Sequence, residues 1–243
     1  MHGIKAIIRK ELLSYFSTPL AYIFIAVFLF TSGAFTFYIG SFYERNQADL
    51  ESFFTWHPWL YLFLIPAISM RIWADEHRSG TLELLLTLPI PLWELVVGKF
   101  LAAWIVTGIA LLLTLPIWIT VSYLGNPDHG VIIASYLGSL LMAGGYLAIG
   151  SCISSLTHNQ VIAFVLGLII CFIFTFSGFP LVLNFFSFFL PTSVLEIISS
   201  FSFLGNFEDI TRGILAVRSI LYFSLLILFW LGLNTYILTI KKA

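Results

Sequence analysis

The chain has 243 residues, 60% hydrophobic and 9% charged, with a mean hydropathy of +1.01. An ordinary soluble domain carries about 25% charged residues, and 11 basic plus 12 acidic side chains cannot coat a soluble core of this size, so the bilayer must cover the rest. A net charge of -1, with the basic residues spread along the chain, excludes nucleic acid as a partner.

Residues 1–19 are expected to form an amphipathic connecting helix. Ile4, Ile7, Ile8, Leu12, Tyr15 and Phe16 recur at helical spacing, with Lys5, Arg9 and Ser14 on the other face. Such a helix lies in the membrane surface with its basic residues at anionic headgroups, until Pro19 ends it. The alternative is a plain cytoplasmic extension of the first span.

Crossing ~30 Å of hydrocarbon takes ~20 apolar residues. Six stretches free of Asp, Glu, Lys and Arg are long enough: 20–40, 53–70, 100–124, 131–156, 161–179 and 219–240. They predict an all-α membrane protein, one domain of six transmembrane helices with both termini on one side. The first run is longer than a signal-peptide core and is expected to stay in the mature chain. With the termini inside, Lys5, Arg9, Lys10, Arg71, Arg78, Lys99, Lys241 and Lys242 face inward, against Arg45, Arg212 and Arg218 outside. Basic residues favour the cytoplasmic side, so the polar segment 71–99 is placed there.

Between the spans, 41–52 is a short acidic loop with Glu44, Asp49 and Glu51, and 125–130 is a tight turn. The segment 180–213 is apolar, yet Pro180, Asn184, Pro191, Gly205 and Gly213 interrupt it. Two short re-entrant helices dipping in from the outer face are expected there, since broken backbone at membrane depth needs protein or water to satisfy it.

Chemistry is sparse. The one Gly-Lys pair, Gly98 and Lys99, is followed by Phe100 and not by Ser or Thr, so no phosphate-cradling loop exists and no catalytic residue is assigned. The spans are empty of acids and bases apart from His57 near an outer end and His158 near an inner one, which weakens ion-coupled transport. His2, His57, His77, His129 and His158 are scattered, so no metal site is expected and the histidines are taken as interfacial. Cys152 and Cys171 fit as small buried hydrophobes. What remains is 71–99: a charged start, a Gly80 and Thr81 break, and a short apolar helix that Thr81 can cap and Pro89 and Pro91 stop. A helix too short to cross and held under the membrane can transmit a push from a docked protein. It can equally be a connector whose charges sit among headgroups.

These residues resemble a known family. The run from Arg9 to Tyr22 is similar to the opening of ATP-binding cassette type-2 exporter permeases of the gliding-motility GldF and nitrous-oxide-maturation NosY kind. Met70, Arg71, Asp75, Glu76, Arg78, the run from Gly80 to Leu85, Leu88, Pro89, Glu94, Gly98 and Lys99 resemble that family's inner-loop signature. Asp75 stands for the commoner Glu, and His77 intervenes before Arg78. The run from Phe207 to Gly213 is similar to the family's motif before the last span.

The resemblance implies a half-transporter in the bacterial inner membrane, doing export or envelope-assembly work. Its partners would be a cytoplasmic ATPase subunit, which holds the ATP and Mg, a second permease copy or a related one, and a periplasmic protein; this chain itself would bind no cofactor. On this reading Arg71, Glu76, Arg78 and Glu83 make charged contacts with the ATPase. Leu82, Leu84, Leu85 and Leu86 seat the coupling helix, and Asp75, Gly80, Thr81, Pro89 and Glu94 complete the interface. Glu208, Asp209 and Arg212 form an outer gate or partner contact, or else Asp209 simply pairs with Arg212 and caps a helix. A non-transporting scaffold and an ion-coupled carrier are the competing functions. The Phe, Leu, Ile, Ser and Thr of the spans suit an amphipathic cargo and lipid contact equally.

Overall fold

Proline, glycine and capping side chains set the helix boundaries. The computed structural model describes residues 2–45, 47–87, 89–187, 189–213 and 217–242, so Leu88 of the inner-loop signature lies outside the described residues. Helix α1 (His2–Ser17) ends because Pro19 disfavours helical backbone at Thr18, which is extended at φ -107° and ψ 155°; Pro19 then opens α2 (Pro19–Ala34) at its first turn. A π-helical turn, Phe35–Ile39, continues α2. After the acidic loop come α3 (Glu51–Phe54), α4 (His57–Ser69) and α5 (Arg71–Ser79). Gly80, left-handed at φ 71°, stops α5 where a side chain would be strained. Next are α6 (Thr81–Thr87), α7 (Leu92–Leu112), α8 (Leu115–Leu124) and α9 (His129–Leu156). The Asp128 carboxylate accepts from the Gly130 amide at 2.8 Å and so starts α9. The chain closes with α10 (Gln160–Phe176), α11 (Pro180–Phe186), α12 (Thr192–Ser200), α13 (Phe203–Thr211) and α14 (Val217–Lys242), and no strand occurs among the described residues.

Helix α9 is the central post, packed by α14, α10, α4, α13, α7 and α5. Its small residues let neighbours approach: a Cβ at Gly138 would lie 2.7 Å from Ile210 Cγ2, and one at Gly144 would lie 2.9 Å from Ile227 Cδ1. Several of its buried hydroxyls bond sideways to neighbouring helices, as burial without water demands. Ser139 Oγ lies 2.8 Å from both His57 Nδ1 and Tyr61 Oη, and Tyr146 Oη lies 2.7 Å from Thr175 Oγ1.

The expected six spans are not all reproduced. Four helical stretches are long and apolar enough to cross a membrane: Pro19–Ile39, Leu92–Leu124, His129–Leu156 and Val217–Lys242. A fifth is reached if α10 and α11 count as one span bent by 82°. The stretch 53–70 is split at Thr55 and Trp56, and the 13 residues of α4 rise only ~20 Å. The third expected span begins earlier, because α7 starts at Leu92 and takes Lys99 into the bundle. Segment 180–213 carries three short helices, not two. Helix α1 does not lie apart from the bundle: it packs along α7, where Gly98 leaves room for the buried Ile7.

Candidate functional site

The polar residues of α1, α5, α6, α7 and the end of α14 gather at one end of the bundle. Lys99, the eighth residue of α7, is 3% exposed. A lone ammonium there would be costly, and two carboxylates compensate it: Nζ donates to Glu11 Oε1 of α1 at 2.9 Å and to Glu76 Oε1 of α5 at 3.0 Å. It also sits 5.4 Å from the centre of the Trp73 ring, within cation–π range. Lys10 adds a longer contact to Glu11 at 3.6 Å. The second Glu76 oxygen accepts from the Thr81 hydroxyl, which joins α5 to α6 across Gly80. Burial alone pushes the Glu76 carboxyl up; Lys99 and the hydrogen bonds from Thr81 and Lys99 outweigh it and hold the pKa below its ordinary value.

Helix α5 is fastened to α9 as well. The Trp73 indole donates to Ser151 Oγ at 3.1 Å, and the Trp73 and Ala74 amides donate to Ser154 Oγ, each at 3.1 Å. His77 Nε2 lies 3.2 Å from the Ser155 carbonyl oxygen and 3.2 Å from Lys241 Nζ, and its ring packs edge-on against His158 at 4.4 Å between centres. Burial lowers the His77 pKa, and the Lys241 charge lowers it further. Both terminal helices are therefore linked to α5, α1 indirectly through Lys99, which bonds both Glu11 and Glu76, and α14 through Lys241 at His77.

The residues expected to face an ATPase divide into two sets. Turned into the bundle are Glu76, held by Lys99 and Thr81, and Leu82 and Leu86, both buried. Arg71 and Asp75 satisfy each other at 2.7 Å, and Gln160 donates to the other Asp75 oxygen. Thr81 spends its hydroxyl on Glu76 and Ser79, in place of the expected helix cap. Glu94 is half-buried beside Gly3 of α1, and Leu85 is half-buried against the core. Facing outward are Arg78, Gly80, Glu83, Pro89 and Leu84, the last 68% exposed. Trp93, in the first turn of α7, is also exposed, at 52%. So only one leucine of the expected seat is free, and the apolar face of α6 serves its own fold. Lys99 and Glu11 were also missed as a pair. The available signal was a Lys inside an otherwise apolar helical run, eight residues into a span with no other charge but Glu94.

At the opposite end Arg212 pairs with Glu208, one turn away, and not with the expected Asp209. His57 is not interfacial: it is fully buried and packed against Phe28, Phe53 and Phe54.

Long apolar helices around a small-residue post, with a charged end tying a short non-crossing helix to the bundle, define a membrane-embedded component of a transporter. Residues 6–241 match the family described as ABC-2 family transporter protein, and the chain belongs to that family. It is 40% identical over 67 residues to heme exporter protein B of Paracoccus denitrificans, a match covering 28% of this chain and 31% of that protein. It is also 40% identical over 72 residues to heme exporter protein B of Rhodobacter capsulatus, covering 29% and 33%. The chain thus spans about a third of the length of the curated relatives it matches.

Proposed function

We propose that this ABC-2 permease is driven by a separate cytoplasmic ATPase, carrying ATP and Mg, that docks on α6 and its flanks. The observation that supports this most is the exposure of Arg78, Glu83, Leu84 and Trp93 on α5, α6 and the start of α7, backed by the ion set of Lys99, Glu11 and Glu76. An exposed tryptophan and leucine beside charges of both signs suit a protein surface better than headgroups alone. Glu83 and Arg78 are free to make charge-assisted contacts, while Glu76 stiffens the platform behind them.

On this reading the charged end faces the cytoplasm, both termini lie there, and the membrane is the bacterial inner membrane. The eight-to-three bias of basic residues and the convergence of α1 and α14 on α5 support that orientation. A second permease, identical or related, completes the transporter, and ATP closing the ATPase pair shifts the population of permease arrangements through α6. Its work is export or envelope assembly.

Arg78→Glu and Glu83→Lys test the docking. Each should cut co-purification of the ATPase and its stimulation by the permease by roughly tenfold, the equivalent of ~1.4 kcal/mol. Leaving both quantities unchanged in both variants would remove the ATPase from this face.

A further inference from the structure

A cavity of about 840 Å³ opens at the end of the bundle away from Lys99, bounded by α3, the start of α4, the first turns of α9, the bend between α10 and α11, and α13. Its size is that of small-molecule sites, ~300–1,000 Å³. The space exists because two elements break there. The chain turns at Thr55 and Trp56 between α3 and α4, and α11 leaves α10 at 82°. Gly178 permits that bend to close on α13, since a Cβ there would lie 2.5 Å from Ser202 Cβ.

The floor is aromatic. Phe54 and Phe207 are buried beneath it, and Trp59 and Phe179 present half-buried rings. The rim is acidic: Asp49, Glu51, Asp128 and Glu208 all line it, and among the described lining residues Arg212 is the one cation. Arg212 is already bound to Glu208, and Arg45, outside the lining, is bound to Glu51 at 2.7 Å. The lining keeps a net negative charge after these pairs, and low-dielectric walls focus such a field into a cleft. Asp49 gives one oxygen to the Glu51 amide, Glu208 one to Arg212 and Asp128 one to the α9 amides, so each keeps a second oxygen to meet a guest.

We infer that this cavity binds an amphiphile with a cationic head, its apolar body on the aromatic floor and its ammonium at the Asp49 and Glu208 rim. Aromatic faces beside a desolvated cation add attraction that an anionic head would not receive. Calling the guest a cargo rests on the transport reading above; the binding itself does not.

The test uses the full chain alone in neutral maltoside detergent, with two matched dodecyl probes that carry a photoreactive diazirine. One ends in trimethylammonium and the other in sulfonate. The ammonium probe should cross-link to peptides holding Phe54, Trp59 or Phe179, at least ~tenfold above the sulfonate twin, a ratio worth ~1.4 kcal/mol. Unlabelled dodecyltrimethylammonium should compete it away. Asp49→Asn with Glu208→Gln should erase the preference for the ammonium. Thr55→Trp, which narrows the mouth and keeps every charge, should lower labelling by both probes. Equal labelling by the two probes, or labelling confined to the outer surfaces of α2, α10 and α14, would overturn the inference. No ATPase is present, so this outcome is independent of the docking experiment.

Discussion

Replacing Lys99 with methionine keeps the side chain's length and apolar stem and removes its charge. Glu11 and Glu76 are then left facing each other across the space that Nζ occupied, at 2.9 and 3.0 Å from it in the native protein. Removing one member of a buried ion set costs ~3–5 kcal/mol, because the remaining charges lose their compensation. The two carboxylates are 15% and 17% exposed and can recruit some water, so the lower end of that range applies here, about 3 kcal/mol. For a chain of this size each kcal/mol shifts Tm by ~2–4 °C, which gives a fall of roughly 6–12 °C. Intrinsic tryptophan fluorescence in detergent is a direct assay, because Trp73 packs beneath Lys99. The triple variant Lys99→Met, Glu11→Gln, Glu76→Gln removes all three charges together and should recover most of the loss, since a buried ion set exchanged whole for neutral groups is close to neutral. A Lys99→Met protein that melts with the native one, or a triple variant no more stable than the single, would refute the claim that this ion set pins α1 to α5.

The pH dependence follows from Glu76 and His77. The Glu76 carboxyl is depressed in the folded protein, so its contribution is full above its ordinary pKa of 4.5 and is lost as pH falls through the folded value. His77 is also depressed, so its neutral form is the one that folding favours; its contribution is full above 6.5 and declines as pH drops below that. Melting curves from pH 8 to pH 5 should show Tm falling first through His77, and His77→Gln should flatten that part of the profile. At Gly98 a Cβ would lie 2.7 Å from Ile7 Cγ2, so Gly98→Val should lift α1 from α7 at a cost of ~1–3 kcal/mol and speed tryptic cleavage after Arg9 or Lys10.

Helix placement was legible wherever a boundary depends on local chemistry. Pro19, Gly80 and Pro91 mark ends that the structure keeps, because fixed φ or missing Cβ acts within one turn. Span counting was less legible. The run 53–70 is apolar throughout, but hydropathy cannot report a break at Thr55 and Trp56, nor that most of α4 is buried in protein, where an apolar helix is equally at home. The charged segment 71–99 forms α5, α6 and the start of α7, and several of the side chains expected at its surface turn inward. Leu82 and Leu86 turn inward because α6 follows a left-handed glycine whose angle only the three-dimensional path fixes. Glu76 finds Lys99 23 residues away and Glu11 lies 88 residues from Lys99, separations that no periodicity encodes. The Arg212 partner was missed for a simpler reason: on a helix, Glu208 at four residues is reached as readily as Asp209 at three, and the sequence offers no choice between them.

The two ends of the bundle are mechanically one object. Helix α9 runs 28 residues, ~42 Å, and its C-terminal end is stitched to α5 by Ser151, Ser154 and the Ser155 carbonyl. Its N-terminal half holds α13 through the Gly138 and Ile210 contact and supplies Val131, Ile132 and Ser135 to the cavity wall. A close-packed interior resists compression, so a displacement of α5 moves α9 and, with it, one side of the cavity. Helix α6 reaches α5 by the Gly80 turn and by the Thr81 to Glu76 bond. A push on α6 that left this bond intact would carry α5 with it, whereas a push that broke it would be absorbed at Gly80 and reach nothing further. On the proposed docking, the Thr81 to Glu76 bond, with Glu76 held in turn by Lys99, is therefore the element that would determine whether a push on α6 reaches α5 or is lost in a single turn.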